Sequence, residues 1–113
     1  MVNTVKYLSA TTLLGDEVKN PAGESLGHLK EIMLNTVAGE VSYAVLSFGG
    51  VLGMGDKLFA VPWKSLMVDH QNKSLVLNVS KDRLKDAPGF EKNNWPNFAD
   101  PSFAKTLSGY YTS

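Results

Sequence analysis

Short apolar segments alternate with turn-forming residues between residues 17 and 79, at intervals close to ten residues. The clearest segment is VSYAVLSF at residues 41–48, which is rich in β-branched and aromatic residues and almost wholly apolar. This composition is typical of a strand whose two faces are both covered. Short strands at this spacing, separated by such turns, predict an all-β domain, either a small barrel or a sandwich.

Three further strands are predicted around this one. SLGHLKEIMLN at residues 25–35 also has apolar side chains at helical spacing, but the turn sequences NPAGE and TVAGE on either side favour a strand. KLFAVPW at residues 57–63 and SLVLNVS at residues 74–80 complete the set. Because Pro62 lacks an amide hydrogen, we expect it at a strand end or on an edge strand.

The chain changes character after these strands, where helix signals appear. SKDRLKDAPG predicts one short helix with Ser80 as its N-cap and a Pro-Gly stop. Asp100 followed by Pro101 predicts the start of a second helix, and Gly109 is the predicted end of it. The C-terminal part is therefore expected to be helical.

We expect two parts in the chain, a β-barrel core over residues 1–80 and a helical, aromatic-rich extension over residues 81–113. The extension contains six of the eleven aromatic residues, namely Phe90, Trp95, Phe98, Phe103, Tyr110 and Tyr111. These rings have two possible uses: they cover an open end or edge of the chain's own barrel, or they bury against a second copy or another protein. The predicted interface consists of Phe90, Trp95, Phe98, Phe103, Leu107 and Tyr110.

The segment GGVLGMGDK comes close to the phosphate-binding pattern G-x-x-x-x-G-K-[ST] but departs from it in two ways. Asp56 occupies the lysine position, where its carboxylate would repel a phosphate, and the residues that follow are typical of a strand rather than a helix. The segment therefore predicts a connection between two strands, in which glycine provides positive φ at low cost. The residues of this structural loop are Gly49, Gly50, Gly53 and Gly55.

Three stretches together resemble the PRC-barrel domain family: residues 13–35, residues 39–63 and the sequence APGFEKNNWPNFADPSF. The resemblance extends over about residues 8–103, and the middle stretch is its most specific part. This domain is found in the cytoplasmic part of the photosynthetic reaction-centre H subunit and in the C-terminal half of a ribosome-maturation factor. The resemblance implies a small PRC-type β-barrel of about five to six short strands, with one or two short helices at the C-terminus.

The composition argues against several classes of function. Eleven basic and eleven acidic residues are scattered along the chain, which gives no electrostatic footprint for direct nucleic-acid binding. The chain has no cysteine, and its two histidines, His28 and His70, are accompanied by no third metal ligand at a suitable spacing. Asp16 and Glu17 are adjacent, so on a strand they point to opposite faces rather than forming an acid–base pair. We expect no catalytic residue, no metal and no cofactor.

The N-terminal sequence has no apolar run of the length of a signal peptide, and nowhere do 18 apolar residues follow one another. We therefore expect a cytoplasmic protein that does not insert into a membrane. The predicted function is a non-catalytic protein-interaction or scaffold module that self-associates as a dimer or binds a protein partner. The family resemblance implies two alternatives, an RNA-processing or ribosome-maturation adaptor that docks a ribosomal protein, and a peripheral subunit of a membrane-bound electron-transfer complex.

Overall fold

The chain is built around one six-stranded sheet with short helices before and after it. The computed structural model describes residues 6–49 and 57–111. Its elements are α1 (Ala10–Leu13), β1 (Glu17–Lys19), β2 (Ser25–Asn35), β3 (Glu40–Phe48), β4 (Lys57–Pro62), a 3-10 helix (Trp63–Ser65), β5 (Leu66–Asp69), β6 (Ser74–Leu77), α2 (Lys81–Lys85) and α3 (Pro101–Tyr111).

The strands lie in the order β4-β3-β2-β1-β6-β5. All neighbouring pairs are antiparallel except β1 and β6, which are parallel. The curled sheet and its C-terminal helices confirm the predicted all-β class of five to six short strands. Pro62 ends β4, which is an edge strand, as expected for a residue that cannot donate a backbone hydrogen bond.

The concave side of the sheet contains the main core. Alternate residues of the strands point into it because successive side chains of a strand face opposite sides. On β3 and β4 these are Ala44, Leu46, Phe59 and Val61, each no more than 1% exposed. The same core includes Leu26, Leu29, Leu75 and Leu77 of the other strands, together with Leu13 and Leu84 of the short helices.

A second, smaller core lies on the opposite face of β3 and β4. Val45, Leu58 and Ala60 alternate with the residues of the main core and do not belong to it, yet each is at most 3% exposed. They are covered by α3, which contacts β4 and whose Leu107 is completely buried. The prediction that both faces of residues 41–48 are covered is thus confirmed for the centre of the strand.

The two predicted helix starts are confirmed. The Arg83 amide donates to Ser80 Oγ at 3.1 Å, and the Ser102 amide and hydroxyl donate to Asp100 Oδ1 at 2.9 and 2.8 Å. The prediction that Gly109 ends the second helix is wrong, because α3 continues to Tyr111. The Arg83 guanidinium donates to the Tyr110 carbonyl oxygen at 2.6 Å, a tertiary contact that favours the extra helical residues over the weak helix propensity of glycine.

Hydrogen bonds lower the pKa values of four carboxylates on the surface of the fold. Glu24 accepts a hydrogen bond from the Asn20 side-chain amide at 2.7 Å and one from the Lys81 amide at 3.4 Å, which holds its pKa below the ordinary value of 4.5. The hydrogen bonds from Ser102 lower the pKa of Asp100 in the same way. The pKa values of Glu17 and Asp69 are also lowered, chiefly by side-chain hydrogen bonds from Ser25 and Asn72.

We expect the stability of the protein to fall as the pH drops below about 4.5. The unfolded chain then binds more protons than the folded one, so the stabilisation present above that pH is lost as the pH passes through the lower folded pKa values. Urea midpoints measured from about pH 7 to about pH 3 check this expectation. Glu24→Gln should lower the midpoint at neutral pH more than at acid pH. The matched control is Glu31→Gln on an exposed part of β2, which should change the midpoint at neutral pH little. A midpoint that is constant over this range would contradict the prediction.

Candidate functional site

A groove with a volume of about 1070 Å³ opens on the face of the sheet opposite the main core, which we call the outer face. Met33 and Tyr43, which are paired across β2 and β3, lie at its base, and Ala104 and Ser108 of α3 form one wall. The 3-10 helix contributes the other wall. The groove is therefore lined mainly by apolar and small side chains from three separate parts of the chain.

The groove exists because the β2–β3 hairpin is longer than the strand beside it. The last pair between β3 and β4 joins Tyr43 to Pro62, whereas the pairing of β2 with β3 continues to Asn35 and Glu40. The end of the hairpin therefore projects beyond β4. The contacts of α3 with the sheet centre on β4, and Leu34 on the overhang is largely exposed.

The tip of the hairpin exposes two aliphatic side chains, Leu34 at 63% and Val37 at 97%. The turn at residues 36–39 is well defined, since Asn35 Oδ1 accepts hydrogen bonds from the Val37 and Ala38 amides at 3.1 and 3.0 Å. Gly39 completes it with a φ of +72°. Sequence reasoning passed over these residues because a lone valine in a turn gives no signal without the overhang around it. We call Leu34 and Val37 the hairpin knob.

Two opposite charges line the groove, Glu40 on the hairpin and Lys64 on the 3-10 helix. Neither side chain forms an ion pair or a hydrogen bond within residues 6–49 and 57–111. Among the described residues, no other charged side chain lines the groove. Both are therefore available to a bound molecule, and their charges cancel.

The aromatic residues of the C-terminal extension, which we also call the aromatic tail, form a cluster beside the groove. The ring centroid of Phe98 lies 5.4 Å from that of Tyr43 and 5.3 Å from that of Phe103. Trp95 lies 5.1 Å from Phe90 and is 38% exposed. Tilted and edge-on contacts at these distances stabilise the cluster beyond the area it buries. The tail rings thus pack against one another and against β3 of the same chain.

The remaining predicted interface residues also make contacts within the chain. Leu107 is completely buried in the second, smaller core. The Tyr110 hydroxyl donates to the Arg83 carbonyl oxygen, and the Arg83 guanidinium lies 4.3 Å from the centre of its ring. Phe90 exchanges two backbone hydrogen bonds with Leu58 and extends the β4 edge. Of the six predicted residues, Phe98 lines the groove, and a partner interface through these six stays a prediction.

The residues of the predicted glycine loop are described only in part. Gly49 has a φ of +83°, in the region that favours glycine. Gly50, Gly53, Gly55 and Asp56 lie outside the described residues. The loop therefore stays a prediction.

The polar candidates do not converge on a reactive site. His28 lies on β2 and His70 follows β5, with β1 and β6 between those strands. A cavity of about 210 Å³ brings His70 near Asp16 and Asp69, but the Asp69 carboxylate is already bonded to Asn72. Within the described parts of the chain, no group of three or more His, Cys, Asp or Glu residues is placed to hold a metal ion. No described helix is long and apolar enough to span a bilayer.

Comparison with known proteins identifies the family. No curated protein matches the chain. Among solved structures, it is similar to a putative 16S ribosomal RNA processing protein RimM from Pseudomonas aeruginosa, with 14% identity and a TM-score of 0.45, over 66% of this chain. The match covers 45% of the RimM chain, which is less than half of that protein. The model of the PRC-barrel domain matches residues 6–84, so the resemblance seen in the sequence is confirmed and this chain belongs to the PRC-barrel family.

Proposed function

We propose that this PRC-barrel chain is a non-catalytic protein-binding module that holds an apolar segment of a partner protein in the groove beside α3. The observation that supports the proposal is the groove itself, which is lined by the half-buried Met33 and Tyr43 of the sheet and lies between two walls. Methionine and aromatic residues are enriched at the centres of protein interfaces. The surrounding secondary structure positions these side chains before any partner binds.

The size and lining of the groove favour a protein segment over a metabolite. Small-molecule sites usually measure roughly 300–1,000 Å³ and enclose most of the ligand with a few converging polar groups. This groove has a volume of about 1070 Å³ and opens along the hairpin overhang. Its two charged groups are one cation and one anion on different elements, which suits the flanks of a peptide segment. A single cation also gives little attraction for a phosphate backbone.

A photo-crosslinking residue placed at position 64 tests the proposal in the cells that express the protein. Lys64 lies at the edge of the groove, so we expect a covalent adduct with a protein, located by mass spectrometry of the linked peptides. A matched control carries the same residue at position 85, where Lys85 is exposed on α2, and should give no such adduct.

The variant Ala99→Trp supplies the decisive comparison. Ala99 is exposed and lines the groove, so a tryptophan there should fill the space without disturbing either core, and the adduct at position 64 should disappear. An adduct that persists in Ala99→Trp, or no protein adduct at all, would overturn the proposal. The linked protein also separates the alternatives: a ribosomal protein would indicate an adaptor in ribosome maturation, and a subunit of an electron-transfer complex would indicate a peripheral subunit.

A further inference from the structure

We propose that the segment bound in this groove is the hairpin knob of a second copy of the chain, so that two copies form a symmetric dimer in which each knob fills the other's groove. The inference rests on the proposed function and adds the identity of the partner. The proposed contact lies on the β2–β3 overhang and not on the aromatic tail alone.

The first argument is that knob and groove occur on the same side of one molecule. Leu34 belongs to both, because it is part of the knob and also lines the groove. An interface with two-fold symmetry uses one surface patch twice and must therefore be complementary to itself. A patch with both a projecting aliphatic turn and an apolar depression beside it meets this condition. A foreign partner would have to supply a knob of its own and would leave this one exposed.

The second argument is the charge pattern. In a two-fold arrangement, the turn that enters the partner's groove brings its own Glu40 toward the wall that carries Lys64. The two carboxylates and the two ammonium groups can then form two equivalent pairs, whereas within each chain Glu40 and Lys64 have no partner among the described residues. Eleven basic and eleven acidic residues give the chain a formal net charge of zero, so no long-range repulsion opposes the approach of a second copy.

The third argument is the exposure of Val37. Val37 is 97% exposed at the tip of an ordered turn, so its side chain buries almost no apolar area within the single chain. The turn is held by Asn35 and needs no valine. Burial of this side chain in an apolar groove removes it from water and gives the knob a role in association.

Sedimentation equilibrium over a range of concentrations tests the inference on the full chain. We expect the wild type to form dimers, and Val37→Asn to raise the dimer dissociation constant at least about tenfold, because each dimer loses two buried aliphatic contacts. Asparagine is polar, similar in size and well tolerated in turns. Met67→Asn is the matched control, since Met67 is 69% exposed on β5, away from the groove, and should leave the dissociation constant unchanged.

Charge exchange provides a second, independent measurement. Lys64→Glu alone should weaken the dimer, because it places two carboxylates together at each contact. Glu40→Lys alone should weaken it for the corresponding reason, and the double variant should restore the dissociation constant to within about threefold of the wild type. Restoration by the double variant is not expected from damage to the fold.

A mixture of two defective variants tests the reciprocal geometry. Val37→Asn keeps its groove but has lost its knob, and Ala99→Trp keeps its knob but has a filled groove. In the mixed dimer, one knob still meets one open groove, whereas each of the two homodimers has no intact contact. Native mass spectrometry should therefore show the mixed dimer in excess over both homodimers.

Three outcomes would overturn the inference: a wild type that is monomeric up to about 100 μM, a dimer weakened by Met67→Asn rather than Val37→Asn, or a mixture without excess of the mixed dimer. The crosslinking experiment distinguishes these failures from failure of the proposed function. An adduct at position 64 with a different protein would leave the proposed function intact and remove the second copy as the partner.

Discussion

Replacement of Gly27 by alanine is expected to reduce the free energy of unfolding by about 3–5 kcal/mol, a large part of the total stability of a domain of this size. Gly27 is the third residue of β2 and has a φ of +97°, a conformation that side-chain-bearing residues rarely adopt. A Cβ atom there would collide with the Ser47 carbonyl oxygen of β3 and lie 3.1 Å from the Phe48 Cα. Urea unfolding followed by circular dichroism measures the loss.

Backbone strain and collision can be separated with two other glycines. Gly23 also has a positive φ, +89°, but has open space where a Cβ would be, so Gly23→Ala should cost about 1–3 kcal/mol from strain alone. Gly109 has open space inside α3, and Gly109→Ala should stabilise the protein by about 0.5–1 kcal/mol. A Gly27→Ala loss no larger than that of Gly23→Ala would show that β2 and β3 do not approach as closely as described.

The strands could be predicted from sequence largely because turn chemistry is local. Residues 25–35 had an ambiguous period, and the proline and glycine turns on either side decided correctly for a strand. The turn sequences did not predict the positive φ of Gly27. Glycine is needed there because β3 approaches closely, and its neighbours in sequence do not indicate this. The short elements α1 and β5, four residues each, were not individually predicted because so few residues establish no period.

Less of the candidate site than of the fold could be predicted from the sequence. The aromatic tail was recognised as a covering or binding element, and its rings do pack against Tyr43 of the same chain. The groove could not be predicted, because it arises where the β2–β3 hairpin projects beyond β4 and beyond the part of the sheet that α3 packs against. Its two walls, the 3-10 helix and α3, come from segments that are about 40 residues apart in the chain. Only the relative lengths of paired strands reveal such a gap, and those lengths depend on the register of pairing.

The second large effect is expected for Leu107→Ala, which should reduce the free energy of unfolding by about 2–5 kcal/mol. Leu107 is the fully buried residue of α3, and the substitution leaves a cavity above Val45, Leu58 and Ala60 on the outer face of the sheet. The loss of buried aliphatic atoms and the incompletely collapsed cavity both contribute to the cost. Chemical unfolding at several protein concentrations measures it.

Lys105→Ala is the matched control, since Lys105 is exposed on the same helix and its replacement should change the stability by no more than about 0.5 kcal/mol. The dependence on protein concentration decides whether α3 packs within one chain or between two. If the helix packs on its own sheet, Leu107→Ala lowers the unfolding midpoint by the same amount at every concentration, including those at which the proposed dimer would be dissociated. If the helix instead belonged to a partner's sheet, the loss would appear only in the associated state, because an exchanged helix stabilises the dimer and not the monomer. Equal losses would therefore assign Leu107 to the fold of the single chain, so that α3 is part of the monomer and the groove beside it is the proposed surface for association.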